Sequence, residues 1–295
     1  MYKILLMTLI VISAIQSAVC QKLPIANNDE PVPLRTLVDS DLQKNLEAEL
    51  NLKPRWKALI KKKKMAVGLV DLSDPDNIRF ARVNGNEMMY AASLPKIAVL
   101  LASMDAIENG ELEETPEILS DMKLMINKSN NPATTRMIDR IGFEKIESVL
   151  RDDHYNLYDE DYGGGLWVGK RYASDAATKR DPLKNLSHAA TASQVCRFYY
   201  LLYQGKLINE NRSKQMLDIM EDSGLHHKFI NTLDRIAPNA KVYRKSGSWR
   251  NYHSDSVLVW GNPKRRYILV ALLEDENGEQ IIRNLIVPVE KVLGK

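Results

Sequence analysis

The sequence predicts an α+β protein. One antiparallel sheet is built from both chain ends, helices flank it, and a helical subdomain is inserted between. Three observations lead there. Strand-like runs occur near the start (Met65–Leu72, Ile78–Val83) and again near the end (Val242–Trp249, Asp255–Trp260, Arg266–Glu274). Between them, from Ser93 to about Gly224, apolar residues recur mainly at helical spacing. Helical patterns also flank the strands at both ends, which favours one sheet covered by helices over two separate domains. The chain has 295 residues, 44% of them hydrophobic, enough for a sizeable core. A net charge of +3 spread over both halves gives no reason to expect a nucleic-acid partner.

Taken in order, residues 1–20 read as a signal peptide. Lys3 gives the positive start, Ile4 to Ile15 the apolar stretch, and Ser17 and Ala18 the small residues before a cut. The stretch is too short to span a bilayer, so an exported protein without a membrane span is expected, periplasmic or secreted. Lipid attachment at Cys20 is the weaker alternative, because Ser17-Ala18-Val19 is a poor attachment box. Residues 21–36, rich in proline and polar residues, read as a leader, and 37–295 as one domain whose helical lobe covers about 98–224. Removal of 1–20 leaves Cys196 alone in an apolar helical pattern, a core residue rather than a nucleophile, with no disulfide partner.

Within the domain, Leu42, Leu46 and Leu50 share one side of a helix over 37–52, with Asp39 or Ser40 as its cap, and Pro54 opens a second, short one. The basic run Lys61–Lys64 reads as the solvated end of that helix. A hairpin over 65–83 follows. Helices are then expected over 98–109, 116–127, 132–141, 143–150, 189–204 and 211–221, with glycines at 110, 142 and 205 as stops. Residues 151–187 have no clean period and hold Gly163-Gly164-Gly165, many charges and Pro182; a loop this long in a compact domain is usually functional or poorly ordered. A final helix spans 281–293, bent or interrupted at Pro288.

The stretch Tyr90–Leu101 carries the first chemical signal. Ser93 and Lys96 stand three apart where an apolar helix begins, so they share a side of its first turn. A lysine held there loses solvation, which disfavours its charge and makes it a base for the serine hydroxyl. Ser-x-x-Lys also arises by chance, and Ser120-Asp121-Met122-Lys123 is a second copy. Two further motifs add weight. Ser129-Asn130-Asn131 falls on a turn between helices, and Lys245-Ser246-Gly247 on the first strand of the C-terminal group. All three can meet where the two lobes join. Plain structural readings stand beside these: Ser129 as the N-cap of the next helix, Lys245 as an edge-strand lysine. The five histidines have no zinc-type partners at helical spacing, and no phosphate-cradling glycine loop or Gly-x-Ser-x-Gly elbow is present, so no cofactor is expected.

Ser-x-x-Lys, Ser-x-Asn and Lys-Ser-Gly in that order resemble the signature of the penicillin-recognising serine enzymes, the class A β-lactamases and penicillin-binding proteins. The resemblance covers roughly residues 45–293. It extends to Ser129–Gly142, which looks like the helix after the lactamase Ser-Asp-Asn, and to Asp255–Trp260, which looks like the strand after Lys-Thr-Gly. The resemblance implies a β-lactamase/transpeptidase-like fold and an acyl-enzyme. Ser93 would be the nucleophile and Lys96 its base. Ser129 would relay a proton to the leaving nitrogen and Lys245 would add positive charge. Asn131 would bind the substrate amide and Ser246 its carboxylate, on the strand that continues through Gly247. The backbone N–H groups of Ser93 and Ser248 would form the oxyanion hole.

The sequence departs from that family in three ways. Asn130 replaces the usual aspartate, a position that varies in the wider superfamily. Ser93 and Ser129 lie closer together than in class A enzymes, which implies a reduced helical lobe. The Glu-x-x-Leu-Asn segment that supplies the deacylating carboxylate is absent. Asp181, in Asp181-Pro182-Leu183-Lys184-Asn185, has the same spacing to its asparagine, but an aspartate before proline also starts turns. Asp159, Glu160 and Asp161 are rivals for that role, and His188 is a base or a structural anchor. Three functions follow as expectations. The first is a monomeric serine hydrolase cleaving an amide or ester, β-lactams included. The second is a peptidoglycan carboxypeptidase or esterase of the same fold. The third is a penicillin-binding or sensor domain that acylates without turnover.

Overall fold

The computed structural model describes residues 25–26, 32–221 and 224–295. The proposed signal peptide, Cys20 and most of the leader lie outside the described residues. The helices and strands in chain order are α1 (Ser40–Asn51), α2 (Pro54–Lys61), β1 (Met65–Asp71), β2 (Arg79–Val83), β3 (Met89–Tyr90), α3 (Lys96–Glu108), α4 (Pro116–Asn127), α5 (Asn131–Arg151), β4 (Tyr158–Asp159), β5 (Gly164–Gly165), β6 (Trp167–Val168), β7 (His188–Ala190), α6 (Ala192–Tyr203), α7 (Glu210–Met220), α8 (Phe229–Ile236), β8 (Lys241–Trp249), β9 (Tyr252–Trp260), β10 (Arg266–Glu274) and α9 (Gly278–Val292).

The main sheet has the order β2-β1-β10-β9-β8, so the two N-terminal strands and the three C-terminal ones form one antiparallel sheet. The join is β1 on β10, from Met65 opposite Leu273 to Asp71 opposite Tyr267. β1 is buried along its whole length, as its continuous apolar run requires. Its side chains alternate between two cores. Ala66 and Val70 join the core shared with α3 and α6, while Met65, Val67 and Leu69 join the core shared with α1, α8 and α9. Each aliphatic side chain fully buried in this way contributes roughly 1.5–3 kcal/mol. Cys196 of α6 packs against β1 at Gly68, where a β-carbon would lie 2.6 Å from its sulfur. Burial pushes its thiol pKa far up, so it is an inert core residue.

Local chemistry explains most boundaries. Asp39 caps α1 by accepting from the Leu42 amide at 2.7 Å. Gly142, at φ 77°, breaks α5 into two helices at the predicted stop. α9 continues through Pro288 without interruption, because Ile281, Ile282, Leu285, Ile286 and Val289 hold one buried face on either side of it.

Two features were not anticipated. Phe229–Ile236 forms α8, which buries Phe229, Ile230 and Leu233 against the C-terminal core. Residues 188–190 are strand rather than the start of a helix; the helix begins after Thr191, whose side chain caps it. These residues form the centre of a small sheet, β3-β7-β6. The leader also contributes to the fold, since Leu34 is buried in the core of the helical lobe and the Ala26 amide bonds to the Tyr203 carbonyl at 2.8 Å. No helix among the described residues is long and apolar enough to cross a membrane.

Candidate active site

Ser93 lies on the turn between β3 and α3, and the surrounding structure holds that turn at several points. The Ala91 amide donates to the His188 carbonyl at 3.0 Å, and the Ala91 carbonyl accepts from Ser254 Oγ at 2.8 Å. Ala92, at φ 50°, sits in the left-handed region, which costs a non-glycine residue about 1–2 kcal/mol. Its carbonyl accepts from the Tyr172 hydroxyl at 3.2 Å. β8 runs directly against the turn. A side chain at Gly247 would come within 2.4 Å of the Ala91 carbonyl and 2.6 Å of the Ser93 amide, so only glycine allows the approach.

Lys96 opens α3 and is fully buried. Its Nζ donates to the Ser129 carbonyl at 2.7 Å and to Asn131 Oδ1 at 2.8 Å, and lies 3.5 Å from Ser129 Oγ. The Tyr172 ring covers it, with its centroid 4.6 Å away. Burial lowers the Lys96 pKa to about 7. A ring face favours the ammonium, but by less than desolvation penalises it. Lys245 reaches the same serine from the edge strand, its Nζ 2.9 Å from Ser129 Oγ and 2.7 Å from the Ser246 carbonyl. Its pKa falls well below the usual lysine value, first through burial and then through the positive charges of Lys96, Arg244 and Lys228.

Ser129 adopts φ 52°, which turns it into this network. The cap of α5 is Asn130, which accepts from the Ala133 amide at 2.7 Å, so Ser129 is left for other work. Two more buried groups brace β8. Arg244 and Asp255 form a bidentate ion pair at 2.8 and 2.9 Å, with side chains 1% and 0% exposed. Lys228 Nζ donates to Ser248 Oγ at 2.8 Å and to the Ser254 carbonyl at 3.0 Å, and also reaches the Gly247 carbonyl. Burial brings its pKa to about 8. Lys228 gave no sequence signal, because its role depends on β8 lying beside it.

The cleft holding Ser93 has a volume of about 720 Å³. Asn131 and Ser248 also line it, whereas Ser246 is buried and Gly247 is covered by the nucleophile turn. One wall is aromatic. The Tyr90 ring lies 5.4 Å from Trp249 and 5.2 Å from Tyr252. The other wall comes from the loop after α5 and carries Lys170, Arg171, Tyr172 and Arg180.

Among the described residues the sole carboxylate lining the cleft is Asp175, which is exposed and lies 3.9 Å from Arg171. Asp181 is buried and turned into its own loop. It accepts from the amides of Leu183 at 3.0 Å, Lys184 at 2.8 Å and Leu186, the turn-forming alternative of the two read from the sequence. Asp159, Glu160 and Asp161 are likewise absent from the cleft lining. His188 donates from Nε2 to the Lys170 carbonyl at 3.0 Å and packs its ring 4.2 Å from Tyr172. Burial lowers its pKa to about 4, so it is a neutral anchor for the loop. Among the described residues no group of three or more His, Cys, Asp and Glu side chains is placed to hold a metal ion.

The profile of the β-lactamase enzyme family matches residues 51–121 and 115–291. No curated protein matches the chain. Solved structures share the fold at low identity. A β-lactamase from Sphaerobacter thermophilus is 17% identical with a TM-score of 0.63, covering 84% of this chain and 95% of its own. A variant of PBP-A, captured as an acyl-enzyme with penicillin G, is 17% identical with a TM-score of 0.64, covering 90% and 99%. The TLA-3 extended-spectrum β-lactamase is 13% identical with a TM-score of 0.64, covering 85% and 100%.

Proposed function

Because the chain belongs to the β-lactamase enzyme family, we propose that it is an exported serine acylase, acylated at Ser93 by β-lactams and by amides or esters of cell-wall peptide type, which releases its acyl group slowly. The observation that carries this is an asymmetry. Lys96, Ser129, Asn131 and Lys245 form one bonded network, and Asn131 lines the cleft with Ser93, while among the described residues the lining holds only Asp175, beside Arg171, as a carboxylate.

Acylation would run as follows. Lys96, neutral in about half the molecules near pH 7, takes the Ser93 proton as the oxygen attacks the substrate carbonyl. The amides of Ser93 and Ser248 receive the oxyanion, a contribution of about 3–4 kcal/mol per donor in related chemistry. The C–N bond then breaks, and Ser129 Oγ passes a proton to the leaving nitrogen. Ser129 is reprotonated through Lys96 or Lys245, both within reach. The positive charge of Lys228 beneath β8, whose pKa of about 8 keeps it mostly protonated near pH 7, favours a substrate that carries a carboxylate. Deacylation needs a water and a base on the loop side, where Tyr172 and basic residues stand instead.

Faster ester turnover is a second reading, favoured by the lowered pKa of Lys96, since the same amine can activate water once the leaving group has gone. The experiment is intact-mass spectrometry after mixing with a penicillin, wild type beside Ser93→Ala. One adduct per wild-type chain and none on the variant is expected. Intact β-lactam with no adduct would remove the penicillin-binding reading.

A further inference from the structure

A second cavity, of about 210 Å³, shares no lining residue with the Ser93 cleft. It is bounded by the turn at Leu34–Thr36, by β2, by the first turns of α6 and by the start of the loop after α5. Three arginines line it, Arg35, Arg82 and Arg197. Arg82 donates from Nη1 to Asn86 Oδ1 at 2.8 Å and to Ser193 Oγ at 3.4 Å. Arg197 donates from Nε to the Tyr155 carbonyl at 2.5 Å, and Arg35 lies 4.7 Å over the Tyr162 ring. Arg197 also donates from Nη2 to the His154 carbonyl at 3.5 Å; these partners are neutral, and none of the three arginines forms an ion pair within 4 Å among the described residues, although the Asp159 carboxylate partly offsets the charge around Arg197. Each therefore keeps N–H donors that no acceptor among the described residues uses.

Crowding like charges in this way is unfavourable without an anion between them. The charge of Arg35 helps to lower the pKa of Arg197, after the larger effect of burial. Two more features point the same way. Ser193 and Gln194 belong to the first turn of α6, where the helix dipole favours negative charge. The Gln194 side chain lines the cavity at 9% exposure, and its carboxamide has no hydrogen-bond partner among the described residues.

Two carboxylates also line the cavity. Asp159 is already engaged, accepting from the Asp161 amide at 3.0 Å and from Asn156 Nδ2 at 3.3 Å, and Asp153 is exposed. Among the described residues, three cations against two anions leave a positive excess. The volume is that of about seven waters at ~30 Å³ each, so the occupant is small.

We infer that this cavity binds a compact oxyanion, a phosphate or a carboxylate, gripped by Arg35, Arg82 and Arg197 and oriented by the Gln194 carboxamide. Such a ligand would tie the leader turn, β2 and α6 to the start of the loop that walls the Ser93 cleft. The site is independent of the acylation chemistry.

Titration calorimetry with inorganic phosphate and with malonate, against sodium chloride at equal ionic strength, tests it on the full chain. The expected result is saturable binding of one equivalent of at least one of the two oxyanions. Saturation by phosphate alone assigns a phosphate ligand, and by malonate alone a carboxylate. Affinity should fall at least tenfold in Arg35→Gln, an exposed position whose change leaves the fold intact, and again in Arg82→Gln, with folding checked by thermal melts. No saturable binding of either anion beyond the chloride control would overturn the proposal, as would equal affinity in both variants.

Discussion

The two walls of the Ser93 cleft are built on different terms. On one side, the nucleophile turn, Ser129 and β8 meet through buried polar groups that are almost all paired: Lys96, Lys245, Lys228 and the Arg244–Asp255 ion pair. On the other, the loop after α5 carries exposed basic residues, an aromatic ring over Lys96, and an aspartate consumed in shaping its own turn. The proposed acylation needs a nucleophile, a base and an oxyanion hole held rigidly, and Ser93, Lys96 and the amides of Ser93 and Ser248 on the first wall are the candidates for those parts. Release by water needs a further base near the acyl group, and among the described residues the second wall offers only the exposed Asp175 beside Arg171. On the proposed reading, this difference separates acylation from release.

Removing the nucleophile gives the largest expected effect. Ser93→Ala should lower acylation by on the order of 10⁴-fold or more, measured as adduct formation over time. The frame behind β8 comes next. Asp255→Ala strands the buried Arg244 charge and should cost about 3–5 kcal/mol of unfolding free energy, read by denaturant titration. An Asp175→Asn change on the opposite wall should leave stability within about 0.5 kcal/mol.

The pH profile sharpens the contrast further. The proposed role of Lys96 as a neutral base with a pKa of about 7 means that acylation should rise with pH through that value and level off above it. Below it the rate should fall about tenfold per pH unit. A profile flat from pH 5 to 9 would exclude Lys96 as the base.

Asp181→Ala separates turn-maker from catalyst. It should speed hydrogen exchange at the Leu183, Lys184 and Leu186 amides, a loss of about 1–3 kcal/mol of local stability, and leave the adduct lifetime within about twofold. A lifetime lengthened tenfold or more would mean that Asp181 takes part in release. A modest effect is expected from Tyr172→Phe, which removes one hydrogen bond to Ala92 and keeps the ring over Lys96. Acylation should slow by about fivefold, equivalent to about 1 kcal/mol.

What the sequence revealed follows the range of the interactions. Ser93, Lys96, Ser129, Asn131 and Lys245 were legible because their motifs are short and fall where the hydrophobic pattern changes period. The five-stranded sheet was legible for the same reason, since β1 and β8–β10 are long apolar runs. Two-residue strands such as β3 and β6 carry no period, so the small sheet that ties the Ser93 turn to the loop left no trace. Tyr172 and Lys228 matter through what packs on them. One lies in an aperiodic loop, and the other precedes a helix only eight residues long. Asp181 shows the limit from the other side, because spacing alone could not say whether its carboxylate faced substrate or its own backbone.

The most direct measurement of the central claim is the lifetime of the acyl-enzyme. Wild-type protein would be mixed with excess penicillin, freed of unreacted compound and followed by intact mass. The account predicts one acyl group per chain on Ser93, persisting for hours, with no steady consumption of β-lactam. An adduct that clears within seconds, with continuous hydrolysis of the excess, would contradict it and would require a deacylating base in the cleft.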